Sequence, residues 1–267
     1  MSERIFVVPH DFTPAADTAV NNAINICKQT GASIALLHIV SKEAEVAGAE
    51  LKLKQLIKRY ANSNISFRCK AIAGSIFSDI GRYAEFLNAS AIIMATHGAQ
   101  GMQKVFGSLA MKVIISTRIP FMVVQKETQI KDFSNIVFSI DHSSQSVQIA
   151  TFTASIAKLF NAKIYVIAQK LSDIPKAKKI KNNLIVISRH LNKIKVAYKL
   201  ELLENKGEWS NTIIDYAKNI SSDMLAIAYD SERFMASKDK FSQALIFNES
   251  KLPTLIINAR RITHLYF

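Results

Sequence analysis

Ile5-Phe6-Val7-Val8-Pro9-His10-Asp11-Phe12-Thr13-Pro14 opens as an unbroken apolar run and closes on a helix start. A run without polar alternation suits a strand buried on both faces of a parallel sheet, predicted over residues 4–8. Thr13 supplies an N-cap oxygen, and Pro14 fits the first helical position. Ala16, Val20, Ala23, Ile24 and Cys27 then keep one apolar face, and Gly31 can close the helix in a left-handed conformation. Ser33–Val40 is the next strand, followed by a helix over about 43–61, a strand over about 65–73 and a helix over about 76–87. Ala91–Thr96 is a fourth strand. A glycine-bearing loop, a helix from Ser108 to Thr117 and a strand over Pro120–Val124 complete five strands and four helices.

The same order restarts at residue 134. A shift of 130 residues carries Ile5–Asp11 onto Asn135–Asp141, Gly31 onto Asn161 and Ile34–Leu37 onto Ile164–Ile167. Asn in place of Gly31 fits, because Asn is the next best residue for a left-handed helix end. A shift of 133 carries Tyr83-Ala84 onto Tyr216-Ala217, Ile92–Ala95 onto Leu225–Ala228 and Pro120–Val124 onto Pro253–Ile257. Repeats this long are duplicated domains, each able to bury its own core. The expected organisation is a domain over residues 1–127, a second over 133–259 and a C-terminal tail over 260–267, with polar residues 126–132 as linker.

Composition agrees with this. The chain has 267 residues, 49% hydrophobic and 21% charged, and a net charge of +13 from 34 basic and 21 acidic residues. Its two cysteines, Cys27 and Cys69, exclude a disulfide framework and a four-cysteine zinc site. No apolar run approaches ~18 residues, and the start MSERIFVVPHD has no apolar stretch behind a basic opening, so a cytoplasmic protein without a membrane span is expected. Of the 8 glycines, only Gly207 lies beyond residue 130, which separates the halves in backbone chemistry.

In an open parallel sheet, ligands sit at the carboxyl ends of the strands where strand order reverses. The first copy delivers Pro9-His10-Asp11, His38-Ile39-Val40 and the loop from Ala95 through Gly98 and Gly101 to Gly107-Ser108 to that end. Amides of a glycine loop at a helix start form an anion cradle suited to phosphate; the competing reading is a plain surface turn capped by Ser108. In the second copy, Gly98 becomes Ser231 and Gly107-Ser108 becomes Lys240-Phe241. No glycine remains there, and Asp230, Glu232 and Asp239 oppose phosphate.

Val7-Val8-Pro9-His10-Asp11-Phe12, Leu36-Leu37-His38-Ile39-Val40, and Met94–Ser108 with Arg118–Val124 resemble the universal stress protein family. The resemblance spans the first copy and, through the repeat, frames the second. It implies two Rossmann-like, adenine nucleotide α-hydrolase-like domains of the α/β class, five parallel strands each, in tandem and pseudo-twofold related. Family members pair through their last strands, which implies intramolecular domain pairing through Phe121–Val124 and Leu255–Ile257 and leaves a homodimer open.

Nucleotide-binding members carry Gly-x-x-Gly, nine residues, then Gly-Ser or Gly-Thr. Here Ala95 stands at the first glycine, and eight residues separate Gly98 from Gly107. The implied ligand is ATP in the N-terminal domain, with Mg²⁺ accompanying it. Pro9 and Ala95 would border the site, Asp11 and Ile39 contact adenine, Gly98 face ribose and phosphates, and Gly107, Ser108 and Leu109 hold phosphate. The implied role is that of a stress-response regulator with unidentified protein partners. Two other readings stay open: a scaffold or lipid- or small-ligand-binding protein without nucleotide, and a weak ATPase or nucleotide-processing enzyme.

Remaining motifs add less. There is no phosphate-binding P-loop, nucleophile elbow or His-Glu-x-x-His helix. His10, His38 and His97 fall near strand ends; separate core or loop histidines are expected rather than a zinc site. The run Lys176–Lys181 reads as a solvated helix face, with an anionic lipid or nucleic-acid patch as the sharper alternative. Without interleaved aromatics, no nucleic-acid partner is expected.

Overall fold

The computed structural model describes residues 3–96, 111–126, 128–205, 207–229 and 240–258. The chain divides into two compact units, Met1–Lys131 and Asp132–Phe267. The first contains β1 (Ile5–Pro9), α1 (Pro14–Thr30), β2 (Ser33–Val40), α2 (Val46–Arg59), β3 (Phe67–Ala73), α3 (Asp79–Phe86), β4 (Ala91–Thr96), helical residues 111–114 and β5 (Phe121–Gln125). The second contains β6 (Asn135–Ile140), α4 (Gln145–Phe160), β7 (Lys163–Gln169), α5 (Ile174–Ile194), β8 (Tyr198–Leu203), α6 (Trp209–Asn219), β9 (Met224–Tyr229), α7 (Lys240–Ile246) and β10 (Thr254–Asn258).

Strand order is β3-β2-β1-β4-β5 in the first unit and β8-β7-β6-β9-β10 in the second, with parallel pairings in both. The two orders correspond element by element, as duplication requires. The expected α/β class with two five-stranded parallel halves is what forms. Val7, Val8, Leu36, Ile92 and Phe121 are fully buried in one unit, and Phe138, Ile164, Leu225 and Ile256 in the other. Burial on both sheet faces explains why these strands read as continuous apolar runs.

The helix ends form as their residues dictate. Thr13 Oγ1 accepts from the Ala16 N–H at 3.4 Å, Pro14 opens α1, and Gly31 ends it at φ 65°. Asn161 ends α4 at φ 53°, the same left-handed close.

Two segments differ from the sequence expectation, and a third gains detail. The helix expected from about 43 begins with a 3₁₀ turn, Glu43–Glu45, before α2. The helix expected from about 76 starts at Asp79, because the Asp79 carboxylate accepts the Ser75 N–H at 2.8 Å and holds residues 75–78 as a turn. Gly74 makes room for that carboxylate, which a side chain there would strike. Residues 128–131, read as linker, are fastened along α1. Asn22 donates to the Thr128 carbonyl at 2.9 Å and accepts from the Ile130 N–H at 2.7 Å, and Asn25 donates to the Ile130 carbonyl at 3.0 Å. Among the described residues, no helix is long and apolar enough to cross a membrane.

Candidate functional site

In the first unit the chain passes from β1 outward to β2 and β3, then returns to place β4 on the other side of β1. The reversal leaves a crevice beyond the carboxyl ends of β1 and β4, where ligands of such sheets bind. A cavity of about 240 Å³ occupies it, bordered by Pro9 and Asp11 from the end of β1, Ile39 from β2, Met94 and Ala95 from β4, and Ile80 from α3. Ile76, Val113 and His38 close its sides. The register sets this convergence: Pro9 lies opposite Leu37, and Val7 opposite Ile92.

The lip after β1 is held by a buried histidine. His10 Nδ1 accepts the Phe12 N–H at 3.0 Å, so Nε2 carries the proton and donates to Asp17 Oδ1 at 3.2 Å. Asp17 Oδ1 also accepts from the Tyr60 hydroxyl at 3.1 Å, and Arg59 reaches Oδ2 at 3.4 Å. Burial, the strongest influence, lowers the His10 pKa against the raising effect of Asp17, in keeping with the neutral ring that an accepting Nδ1 requires. Burial, with Asp17 adding to it, pushes the Tyr60 hydroxyl up to about 12.

Phe12 sits at φ 63°, a conformation a bulky side chain rarely adopts. Its N–H bond to His10 and its ring contacts with His10 (5.5 Å) and His38 (4.6 Å) hold it there. His38 Nδ1 in turn donates to the His10 carbonyl at 2.6 Å. With both His10 nitrogens engaged, no lone pair there is free for a metal, and no group of three metal-binding side chains gathers among the described residues.

Asp11 is exposed, and its Oδ1 accepts both the Thr13 N–H (3.1 Å) and hydroxyl (2.6 Å). That is a helix-start role, and it leaves Oδ2 without a partner among the described residues. Pro9, Asp11, Ile39 and Ala95 thus border one cavity. Gly98, Gly107, Ser108 and Leu109, together with His97, lie outside the described residues. Cys27 is buried on the apolar face of α1, its thiol pushed up to about 12 by burial.

Sequence reading missed the roles of Asp17 and Tyr60. Asp17 is an ordinary first-turn acid on α1, and its partners lie 7 and 43 residues away.

The second unit has a cavity of about 530 Å³ at the corresponding place, bordered by Asp141 and Ser146, Gln169, Trp209, Ala228 and Phe241. Asp141 Oδ1 accepts the Ser143 N–H at 2.8 Å and the Ser146 hydroxyl at 2.6 Å. Asn183 from α5 donates to the Asp141 and Ser143 carbonyls at 3.0 and 2.7 Å. The acid that the repeat carries over therefore organises the same turn with different partners.

Residues 3–125 match the model of the Universal stress protein family. A universal stress protein of Methanocaldococcus jannaschii is 26% identical over 137 residues, a match covering 45% of this chain and 81% of that protein. The crystal structure of a universal stress protein from Archaeoglobus fulgidus matches 97% of this chain and 100% of its own, with a TM-score of 0.72 at 13% identity. A universal stress protein from Archaeoglobus fulgidus has also been solved in complex with dAMP; it matches 49% of this chain at 19% identity and a TM-score of 0.36. Residues 3–125 thus match the universal stress proteins in sequence, and the whole chain shares the fold of the full-length Archaeoglobus fulgidus match. The N-terminal unit carries the family's sequence, and the second unit repeats its fold.

Proposed function

We propose that the N-terminal domain, residues 1–127, binds an adenine nucleotide in the crevice beyond β1 and β4. The observation that carries this reading is the cavity itself. Apolar walls from Ile39, Ile76, Ile80 and Met94 suit the faces of a planar base, and the unpartnered Asp11 Oδ2 at the rim suits its exocyclic amino group. The bound nucleotide that a universal stress protein from Archaeoglobus fulgidus holds belongs to this class.

Phosphates then fall to Gly98, Gly107, Ser108 and Leu109, the roles the family resemblance implies, with Mg²⁺ arriving on ATP's own phosphate oxygens. The protein acts as a cytoplasmic stress-response regulator, occupancy of the first domain setting the surface it offers to protein partners. The second domain, without loop glycines and with three acids in their place, takes no nucleotide.

Calorimetric titration of the full chain with ATP tests the reading. Asp11→Ala is expected to weaken binding about tenfold, the loss of one hydrogen bond to a charged acceptor at ~1.4 kcal/mol. Unchanged affinity in that variant removes the assignment of Asp11, and absence of any ATP or AMP binding removes the proposal.

A further inference from the structure

A second concave surface lies apart from both strand-end cavities, on the outer side of the second unit. The start of α5, the end of β7 and the β8 edge strand enclose a groove of about 600 Å³. Its floor is Ile180 and Leu184, both buried, and its walls include Leu171, Ile174 and Leu202. Ile174 is 80% and Leu202 54% exposed, so two large apolar side chains border the groove while facing water. Its size and apolar character match a small-molecule site rather than a flat contact patch.

The rim is cationic. Lys178 and Lys181 border the groove from α5, one turn apart, and neither has an acidic partner among the described residues. Lys170, the third rim lysine, is paired with Glu204 at 2.7 Å. From Ile174 to Leu200 the sequence contains no Asp or Glu, and the nearby Asp173 and Glu204 pair with Lys176 and Lys170 rather than with these two lysines. The arrangement is an apolar trough with positive charge at one side, complementary to an anionic amphiphile.

We propose that this groove binds one medium-chain fatty acid as a monomer, its chain along Ile180, Leu184 and Leu202 and its carboxylate at Lys178 and Lys181. Covering Ile174 and Leu202 supplies the driving force, and the lysines select a charged head over a neutral one. The site is independent of the nucleotide cavity, so failure of one proposal leaves the other standing.

The test is calorimetry on delipidated full-length protein with dodecanoate below its micellar concentration. One dodecanoate per chain is expected, weakened at least about tenfold by Leu202→Glu, which places a charge at a solvent-exposed position and so spares the fold. Lys178→Gln with Lys181→Gln is expected to weaken dodecanoate about threefold or more while leaving its uncharged methyl ester unaffected. Absence of monomer binding overturns the proposal, as does equal binding by Leu202→Glu. Equal affinity for acid and ester overturns the role of the lysines. Binding to phosphatidylglycerol vesicles without monomer binding assigns the surface to a membrane and overturns the proposal as well.

Discussion

Where the first unit has Pro9, His10 and Asp17 around the end of β1, the second has Ser139, Ile140 and Val147 at the positions 130 residues on. The half-buried His10–Asp17 pair is thus replaced by two apolar side chains, and the same shift carries Tyr60 to His190, whose buried Nε2 has no partner among the described residues. Around the cavities, Ile39 corresponds to Gln169 and, at a shift of 133, Ile76 to Trp209. One fold therefore carries an apolar slot with an acid at its rim in one copy and a larger, more polar cavity in the other. The apolar strand runs survive in both copies because each half must bury a core. The strand-end residues are released from that demand and have diverged.

Exchanging residues between the copies probes this difference, and the largest effect is expected at the His10–Asp17 pair. Asp17→Val alone leaves the His10 Nε2–H and the Tyr60 hydroxyl without their acceptor and should destabilise the first unit by about 2 kcal/mol. Combining it with His10→Ile, as in the second unit, should recover part of that loss, since an apolar pair leaves fewer polar groups unsatisfied. Denaturant unfolding of the two single variants and the double variant measures the coupling; strict additivity would mean the pair does not act as a unit. Next in size, Ile39→Gln with Ile76→Trp gives the first cavity the second's walls and should weaken ATP about tenfold, read by calorimetry.

A smaller effect concerns pH. The His10 pKa is lowered in the folded chain, so the unfolded state takes up the proton first. The associated stability is complete above about pH 6.5, the ordinary histidine value, and is lost as pH falls below it. The difference in unfolding midpoint between wild type and His10→Ile should therefore shift against wild type on going from pH 7.5 to 5.5. A pH-independent difference would show that His10 does not titrate across folding.

The helix punctuation was legible in sequence because it is local. Thr13-Pro14 and Gly31 act on backbone groups within one turn, and Asn161 marked the repeat through the same left-handed geometry. The bordering positions Pro9, Ile39 and Ala95 followed from knowing where parallel strands end. The ring contacts of Phe12 with His10 and His38 did not, because a left-handed phenylalanine has no sequence signature and depends on a partner 26 residues away. Nor did the turn over residues 75–78, where one carboxylate overrides a helical pattern. Polar composition marked 126–132 as a linker but did not show its attachment to α1, where Asn22 and Asn25 supply side-chain partners to its backbone.

The proposed function requires the two copies to differ in ligand chemistry. The most direct measurement is the stoichiometry of ATP binding to the full chain by isothermal titration calorimetry. One ATP per chain, lost in Ser108→Lys, is the predicted result. Two equivalent sites, or a single site that survives Ser108→Lys, would contradict a nucleotide site confined to the first domain and its 98–108 loop.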